Sequence, residues 1–166
     1  MSLNHTPLYD LCLAEGARMV PFAGWEMPVQ FQGVKNEHLA VRKKAGVFDI
    51  SHMGVLELQG KNAKHALQQL VPTDLDRIGP NESCYTVMLN EKGGIIDDII
   101  IYDLESEANG DNNIRLIVNA GCLKSDVKWI NDNLIQNDLG LFDIKKDKVL
   151  LALQGPQSIN IFEKIT

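Results

Sequence analysis

The sequence predicts an α+β protein whose central unit is ferredoxin-like with one added strand. Between residues 54 and 146 the side-chain patterns follow the order strand, helix, strand, strand, strand, helix, strand. Within that order, residues 95–102 read IIDDIIIY, an apolar run typical of a strand inside a sheet rather than at its edge. The flanking segments 1–53 and 147–166 carry further short β patterns, and together they predict part of a second β-rich domain.

The first 53 residues predict the N-terminal part of that second domain. Thr6 followed by proline predicts a helix start with threonine as the N-cap, and Gly16 ends the helix. Residues 19–31 are apolar but contain two prolines, which favours an edge strand or two short strands. A charged helix at 36–44, a strand at 47–50 and the turn SHMG at 51–54 follow.

Residues 54–146 predict the ferredoxin-like domain. The hairpin at its centre joins two strands through NEKGG, whose glycines supply the positive φ angles of a tight turn. The remaining elements are a strand at 55–60, a helix at 62–70, a polar loop at 72–82, hairpin strands at 84–89 and 95–102, a loop tip at 106–113, a strand at 114–119, a helix at 122–134 and a strand at 142–146. A strand at 149–153 then returns the chain to the β-rich domain that residues 1–53 begin, and a last helix opens at 158, from which we expect a fragment of a longer protein.

Composition narrows the functional class. The 166 residues are 45% hydrophobic and 23% charged, as in soluble globular proteins. A net charge of -6 argues against nucleic acid as a partner, and no apolar run is long enough to span a membrane. Three widely spaced cysteines fit reduced thiols in the cytoplasm, and the histidine spacing favours no metal site.

Asp97 and Asp98 are adjacent carboxylates in an apolar strand. Neighbouring side chains of a strand point to opposite faces, so we expect at least one of the two to lie where water is scarce. A buried carboxylate needs a hydrogen-bonded partner or a ligand, which makes Asp98 the leading candidate for chemistry. Alternatively, the pair caps the hairpin or hydrogen-bonds a neighbouring backbone.

Five other positions have a structural interpretation, and for three of them ligand binding is the alternative. Tyr85 and Tyr102 lie on neighbouring strands and either flank a flat ligand or pack against each other in the sheet. In SHMG, His52 fits a structural hydrogen bond and Met53 a gap-filling core residue. Asn119 ends a strand, where it either binds a ligand or, as the default expectation, caps the next helix.

Five segments occur in a specific order along the chain: TPLYDLCLAEGARMVPFAGWEMPVQF, GVFDISHMG, NEKGGIIDDIIIY, VNAGC and LALQGP. With these segments the sequence closely resembles the N-terminal portion of the T-protein family of the glycine cleavage system. The resemblance runs from Thr6 to the last residue. It implies a three-domain folate-binding aminomethyltransferase fold, of which this chain would hold somewhat less than half.

The family resemblance also implies a reaction. T-proteins take an aminomethyl group held on the lipoyl arm of the H-protein and pass its carbon to tetrahydrofolate, with release of ammonia during glycine catabolism. The resemblance therefore implies an enzyme with the lipoylated H-protein as partner and tetrahydrofolate as acceptor. We expect the 166 residues alone to be inactive, because further ligand contacts would lie beyond them.

Site residues follow from the resemblance one position at a time. Asp98 matches the acidic residue that lies against the pterin, where it would accept a proton as a general base or stabilise positive charge as ammonia leaves. Asp97, on the opposite face, would then be structural. The implied pocket residues are Met53 and Tyr85 as apolar walls, and Tyr102, Ile117 and Asn119 on the far side. At Arg115 some relatives carry an aromatic residue, so this position is left out of the implied site.

Three alternative functions are kept. The first is another folate-dependent member of the same superfamily, such as a demethylase or the folate domain of a sarcosine or dimethylglycine oxidase. The second is a non-catalytic folate-binding relative, against which the presence of Asp98 argues. The third is a structural α+β domain, against which the five ordered segments argue.

Overall fold

The computed structural model describes residues 2–104, 112–134 and 138–165. The chain forms two compact units. Unit 1 comprises Met1–His52 and Asp147–Thr166, and unit 2 comprises Met53–Lys146. In chain order the elements are α1 (Tyr9–Ala14), β1 (Arg18–Phe22), β2 (Trp25–Gln30), α2 (Val34–Lys43), β3 (Gly46–Asp49), β4 (Gly54–Gly60), α3 (Ala63–Leu67), β5 (Ser83–Leu89), β6 (Ile95–Leu104), β7 (Asn112–Val118), α4 (Leu123–Leu134), β8 (Leu139–Asp143), β9 (Leu151–Gln154) and α5 (Ser158–Phe162).

Unit 1 contains two short antiparallel pairs, β1 with β2 and β3 with β9. Ala23 and Gly24 both have positive φ, which closes the β1–β2 hairpin in a two-residue turn. Thr6 does not cap α1, contrary to the sequence prediction. The N-cap is Leu8, and the Thr6 hydroxyl instead donates to the Asp49 carboxylate at 2.6 Å. The Thr6 hydroxyl thus bonds to a residue distant in sequence instead of to the backbone of α1.

Unit 2 contains a five-stranded antiparallel sheet in the order β5-β6-β7-β4-β8. Strand β7 lies between β4 and β6, which is the split arrangement of a ferredoxin-like unit. Strand β5 is the added strand, paired with the outer edge of β6. The predicted α+β class is confirmed, and the IIDDIIIY strand lies inside the sheet as expected, although β7 is the middle strand.

The hydrophobic core of unit 2 lies on one face of this sheet, under α3 and α4. From the helices, Ala63, Leu67, Ile130 and Leu134 contribute to it. The sheet contributes these residues, which are at most 1% exposed: Leu56, Leu58, Met88, Ile99, Ile101, Ile114, Leu116 and Val118. Burying each such side chain contributes about 1.5–3 kcal/mol to folding, so the helices are held firmly on this face. We call the opposite face of the sheet the outer face.

Although both faces of IIDDIIIY are apolar in sequence, the helices cover only one face of β6 in the described chain. Asp97, Ile99 and Ile101 point to the helices and are at most 5% exposed, whereas Asp98 is exposed and Tyr102 is 36% exposed. The strand is therefore half-buried, because α3 and α4 cover only one side. One carboxylate does lie in a dry environment, as expected, and it is Asp97.

Two boundaries near the end of unit 2 differ from prediction. Strand β8 begins at Leu139, three residues before the expected start, because Leu139 and Leu141 pack against the core. A loop tip is predicted at 106–113. Residues 106–111 of it lie outside the described residues, and residues 112 and 113 belong to β7.

Candidate active site

The β5–β6 hairpin brings a carboxylate and a phenol together on the outer face. The Asn90 side chain accepts hydrogen bonds from the backbone N–H groups of Lys92 and Gly94, which fixes the turn and the register of the two strands. In that register Val87 lies opposite Asp98, and Tyr85 lies opposite Ile100. The Tyr85 hydroxyl donates to Asp98 Oδ2 at 2.5 Å.

Asn119 connects the end of β7 to both aspartates. Its side-chain Nδ2 donates to Asp98 Oδ1 at 3.2 Å, to the Asp98 carbonyl at 3.1 Å and to Asp97 Oδ1 at 3.0 Å. Its backbone N–H donates to Asp97 Oδ2 at 2.9 Å. The expectation that the Asn119 side chain caps α4 is wrong, because α4 begins at Leu123 and the backbone carbonyl of Asn119, rather than its side chain, accepts from the N–H groups of Cys122 and Leu123.

Gly54 lets the first turn of α4 approach this end of the sheet. It pairs with Val118, the residue before Asn119, and a Cβ built on it would lie 2.6 Å from side-chain atoms of both Val118 and Leu123. Only a residue without a side chain allows β4, β7 and the start of α4 to meet this closely. The turn that carries Asn119 is thus held by close packing.

Asp97 anchors the site from the helix-covered face. Burial alone would raise the pKa of Asp97, but hydrogen bonds from Asn119, Cys122 and Asp126 outweigh it and hold that pKa below its ordinary value. The pKa values of two of these partners, Cys122 and Asp126, are raised. Burial and the neighbouring Asp97 raise the pKa of Cys122 to about 11 and the pKa of Asp126 to about 8. Asp97 therefore carries the negative charge of this cluster.

Tyr85 remains a hydrogen-bond donor across the physiological range. Its bond to Asp98, followed by partial desolvation, raises the pKa of its phenol above the ordinary value. The ring is 67% exposed, so a ligand on the outer face can reach it. Each Asp98 oxygen receives one protein donor, Tyr85 on Oδ2 and Asn119 on Oδ1, which orients the carboxylate and leaves further lone pairs open.

Of the other three predicted pocket residues, two lie on the same sheet and the third directly precedes one of its strands. Tyr102 is on β6 and Ile117 on β7, both on the outer face, where Ile117 is 7% exposed. Met53 is half-buried and directly precedes β4, at the end of the sheet where Asn119 follows β7. Among the described residues the rings of Tyr85 and Tyr102 make no stacked or edge contact with each other, so the interpretation as a packed aromatic pair is not supported.

Arg115 forms an ion pair within the sheet. It lies opposite Tyr102, and its Nε and Nη2 donate to Glu57 Oε1 at 3.1 and 2.5 Å. Burial would raise the pKa of Glu57, but hydrogen bonds from Arg115 and Gln59 outweigh it and lower that pKa. The guanidinium is thus engaged by a neighbour on the outer face.

A cavity of about 410 Å³ lies away from this cluster, between α4 and the β5–β6 turn. It is lined by Gln69, Leu70, Val71, Leu89, Asn90, Glu91, Gly93, Trp129 and Asn133. None of the predicted site residues lines it, so the candidate site rests on the hydrogen-bonded cluster and not on cavity size. In the described ranges no three His, Cys, Asp or Glu side chains are grouped so as to hold a metal ion.

Cys122 and Asp126 are the members of the cluster that sequence analysis did not single out. Asp126 had a detectable signal, because residues 126, 130 and 134 form one stripe of α4 in which the other two are apolar and buried. A carboxylate in such a stripe needs a partner. Cys122 has no comparable signal, since a cysteine in a turn is compatible with many environments.

The sequence of this chain was compared with models of known protein families. The chain matches the protein family described as GCVT N-terminal domain over residues 8–166. This chain belongs to the GCVT N-terminal domain family. Within the part of that domain that the structure describes, no helix is both long and apolar enough to cross a membrane.

Curated relatives of this GCVT N-terminal domain carry the name aminomethyltransferase. The protein from Prochlorococcus marinus (strain MIT 9313) is 55% identical over the whole chain, which covers 44% of that relative. The protein from Synechococcus sp. (strain CC9311) is 56% identical, again over the whole chain, which covers 46% of it. The chain thus spans less than half the length of the curated relatives it matches.

A crystal structure supports the same assignment of the fold. Glycine cleavage system aminomethyltransferase T from Bartonella henselae superposes with a TM-score of 0.89 at 35% sequence identity. The superposition covers 98% of this chain and 44% of the Bartonella protein. The α+β architecture is therefore that of the T-protein, in its N-terminal part.

Proposed function

We propose that this chain is the N-terminal portion of an aminomethyltransferase of the glycine cleavage system. The full protein would transfer the one-carbon unit of an aminomethyl group, held on the lipoyl arm of an H-protein, to tetrahydrofolate. Ammonia and the reduced dihydrolipoyl arm would be the other products. The observation that carries the proposal is the Asp98 carboxylate, exposed on the outer face and oriented by Tyr85 and Asn119.

Asp98 is proposed as the catalytic residue. Its carboxylate accepts a proton from the folate nitrogen that attacks the one-carbon unit, which makes that nitrogen a better nucleophile. The Tyr85 and Asn119 donors hold the carboxylate in one orientation, so little reorganisation is needed when the proton moves. The negative charge also favours the positive charge that develops at the carbon as ammonia departs.

The folate pocket is proposed to lie on the outer face around this carboxylate. Tyr85 and Met53 would form apolar walls, and Tyr102, Ile117 and Asn119 would line the far side. The domain division 1–53, 54–146 and 147–166 is proposed as part of the same three-domain protein. A cytoplasmic location is also proposed, and it is supported by free thiols at Cys12, Cys84 and Cys122.

The test is an assay of the full-length protein with aminomethylated H-protein and tetrahydrofolate. Methylenetetrahydrofolate and ammonia should appear together, in equal amounts, and only when both substrates are present. Folate-dependent demethylation of a sarcosine-type amine without ammonia release would favour the other superfamily members. Folate binding without turnover of either donor would identify a non-catalytic relative. Either result would overturn the proposal.

A further inference from the structure

The carboxyl group of Asp126 is buried, and no N–H group of the described residues donates a hydrogen bond to it. It lies in α4, is 0% exposed, and shares its stripe of the helix with the buried Ile130 and Leu134. Among the described residues no donor reaches either of its carboxyl oxygens. An ionised carboxylate in such a place is strongly disfavoured. Burial therefore favours the neutral, protonated form of Asp126, which can donate a hydrogen bond to a neighbouring acceptor.

The group beside Asp126 is the Asp97 carboxylate. Two carboxyl groups form a hydrogen bond only when one of them is protonated, and the surroundings decide which one. Asp97 already accepts two hydrogen bonds from Asn119, which stabilise its ionised form, whereas Asp126 has none. These surroundings favour the proton on Asp126, from which it would be donated to Asp97.

A continuous chain of contacts links this pair to the candidate catalytic carboxylate. Asp97 receives the backbone N–H and the Nδ2 of Asn119 at 2.9 and 3.0 Å. The same Nδ2 reaches Asp98 Oδ1 at 3.2 Å. A shift of Asp97 would therefore move the Asn119 amide, and with it one of the two donors that orient Asp98.

We propose that Asp126 is a positioning residue: it donates a hydrogen bond to Asp97 and thereby fixes Asn119 against Asp98. The expected effect on turnover rests on the proposed function. The hydrogen bond between Asp126 and Asp97 does not depend on that function. Asp126 does not contact the outer face and has no direct part in the chemistry. Its role is to keep Asp97 from turning away from Asn119.

This arrangement has a direct consequence at alkaline pH. Burial and the charge of Asp97 raise the pKa of Asp126 to about 8. The titratable groups around it are Asp97 from β6 and Cys122 from the turn before α4, and the pKa of Cys122 is raised to about 11. Because Asp97 is already ionised, Asp126 is the next of these groups to lose its proton as pH rises, before Cys122, and two buried carboxylates would then repel each other. Orientation of Asn119 and turnover should fall together.

The experiment compares two replacements in the full-length protein. Asp126→Asn keeps a donor toward Asp97 but cannot ionise, whereas Asp126→Leu has the same branched shape, a larger volume and no donor. Asp132→Asn is the matched control, because Asp132 lies on the exposed side of the same helix and pairs with Lys128. Turnover and the KM for tetrahydrofolate are measured from pH 6 to 9.5 for each protein.

Asp126→Leu should lower turnover about tenfold or more, with the KM for tetrahydrofolate within about threefold, because a misplaced group affects the reacting geometry most. Asp126→Asn should retain turnover within about threefold at pH 7 and lose the alkaline decline near pH 8. An unchanged alkaline decline in Asp126→Asn, or equal losses in both variants, would overturn the proposal.

A second measurement does not depend on the reaction. The side-chain carboxyl carbons of the wild-type protein are labelled with ¹³C, and the Asp126 signal is followed against pH. An apparent pKa near 8, with the Asn119 side-chain amide signals shifting at the same pH, supports the shared proton. Titration of Asp126 below pH 5 refutes it, even if Asp126→Leu fails to fold. Absence of aminomethyltransferase activity would reject the proposed function alone, because this titration still decides the role of Asp126.

Discussion

Replacing Asp98 with Asn should lower turnover strongly and leave the fold nearly intact. Asp98 is exposed on the outer face, and its side chain makes two hydrogen bonds, to Tyr85 at 2.5 Å and to Asn119 at 3.2 Å. An asparagine oxygen still accepts from Tyr85, but its amide nitrogen then faces the Asn119 amide, and one bond is lost. The loss of one exposed hydrogen bond lowers the free energy of unfolding by about 0.5–1.5 kcal/mol.

The expected effect on catalysis is larger. Removal of a positioned proton acceptor usually lowers rates about 10²- to 10⁴-fold, or about 3–5 kcal/mol in the activation barrier. The KM for tetrahydrofolate should change by less than about threefold, since asparagine has nearly the shape of aspartate. Ammonia release from aminomethylated H-protein in the full-length protein measures turnover, and urea unfolding measures stability.

Two companion variants make this result interpretable. Asp97→Asn replaces an acceptor that is only 5% exposed, so it should destabilise the protein by about 1–3 kcal/mol. Asp132→Asn makes the same chemical change on the exposed side of α4 and should alter neither quantity. Turnover of Asp98→Asn within about threefold of wild type would refute the assignment of Asp98 as the proton acceptor.

Two further predictions concern the same cluster, and a third concerns folate binding by the 166-residue chain. Tyr85→Phe removes one of the two donors to Asp98 and should lower turnover about tenfold, with a loss in the free energy of unfolding of no more than about 0.5–1.5 kcal/mol, and alkaline absorbance titration should lose one tyrosine of raised pKa. Asp126→Asn should become more stable than wild type as pH rises, because the folded state binds the Asp126 proton up to pH about 8 while the unfolded chain releases it near 3.8. The advantage should be absent below pH 3.8 and constant above pH 8, with a ceiling of about 5–6 kcal/mol, and urea melts from pH 4 to 9 would reject it if the difference were independent of pH. The 166-residue chain should bind tetrahydrofolate about a thousandfold more weakly than the full-length protein, because it lacks part of the ligand contacts; equal affinities in calorimetric titration would contradict this.

Local patterns were sufficient to predict most of the fold. The order of strands and helices in unit 2 follows from hydrophobic periodicity, and the NEKGG turn follows from the conformations that glycine allows. The sequence predicts Thr6 as a helix cap because a sequence pattern shows only nearby partners, whereas in the structure the Thr6 hydroxyl donates to Asp49, 43 residues away. Long-range polar contacts of this kind leave no local signature.

The candidate site could be predicted only in part. The pattern IIDDIIIY places a carboxylate in a dry environment, but it does not say which of the two is buried, since both faces of the strand are apolar in sequence. Only the position of α3 and α4 decides that Asp97 faces the core and Asp98 the outer face. The role of Asn119 depends on the pairing of β6 with β7, which brings residues 21 and 22 positions apart into contact.

The most direct test of the account is a crystal structure of the full-length protein with tetrahydrofolate bound. We expect the pterin on the outer face of the unit 2 sheet, beside Tyr85, with a folate nitrogen within about 2.6–3.2 Å of the Asp98 carboxylate. Asn119 should still join Asp97 and Asp98. A pterin bound elsewhere, for example in the cavity lined by Trp129 and Asn133, would contradict the account.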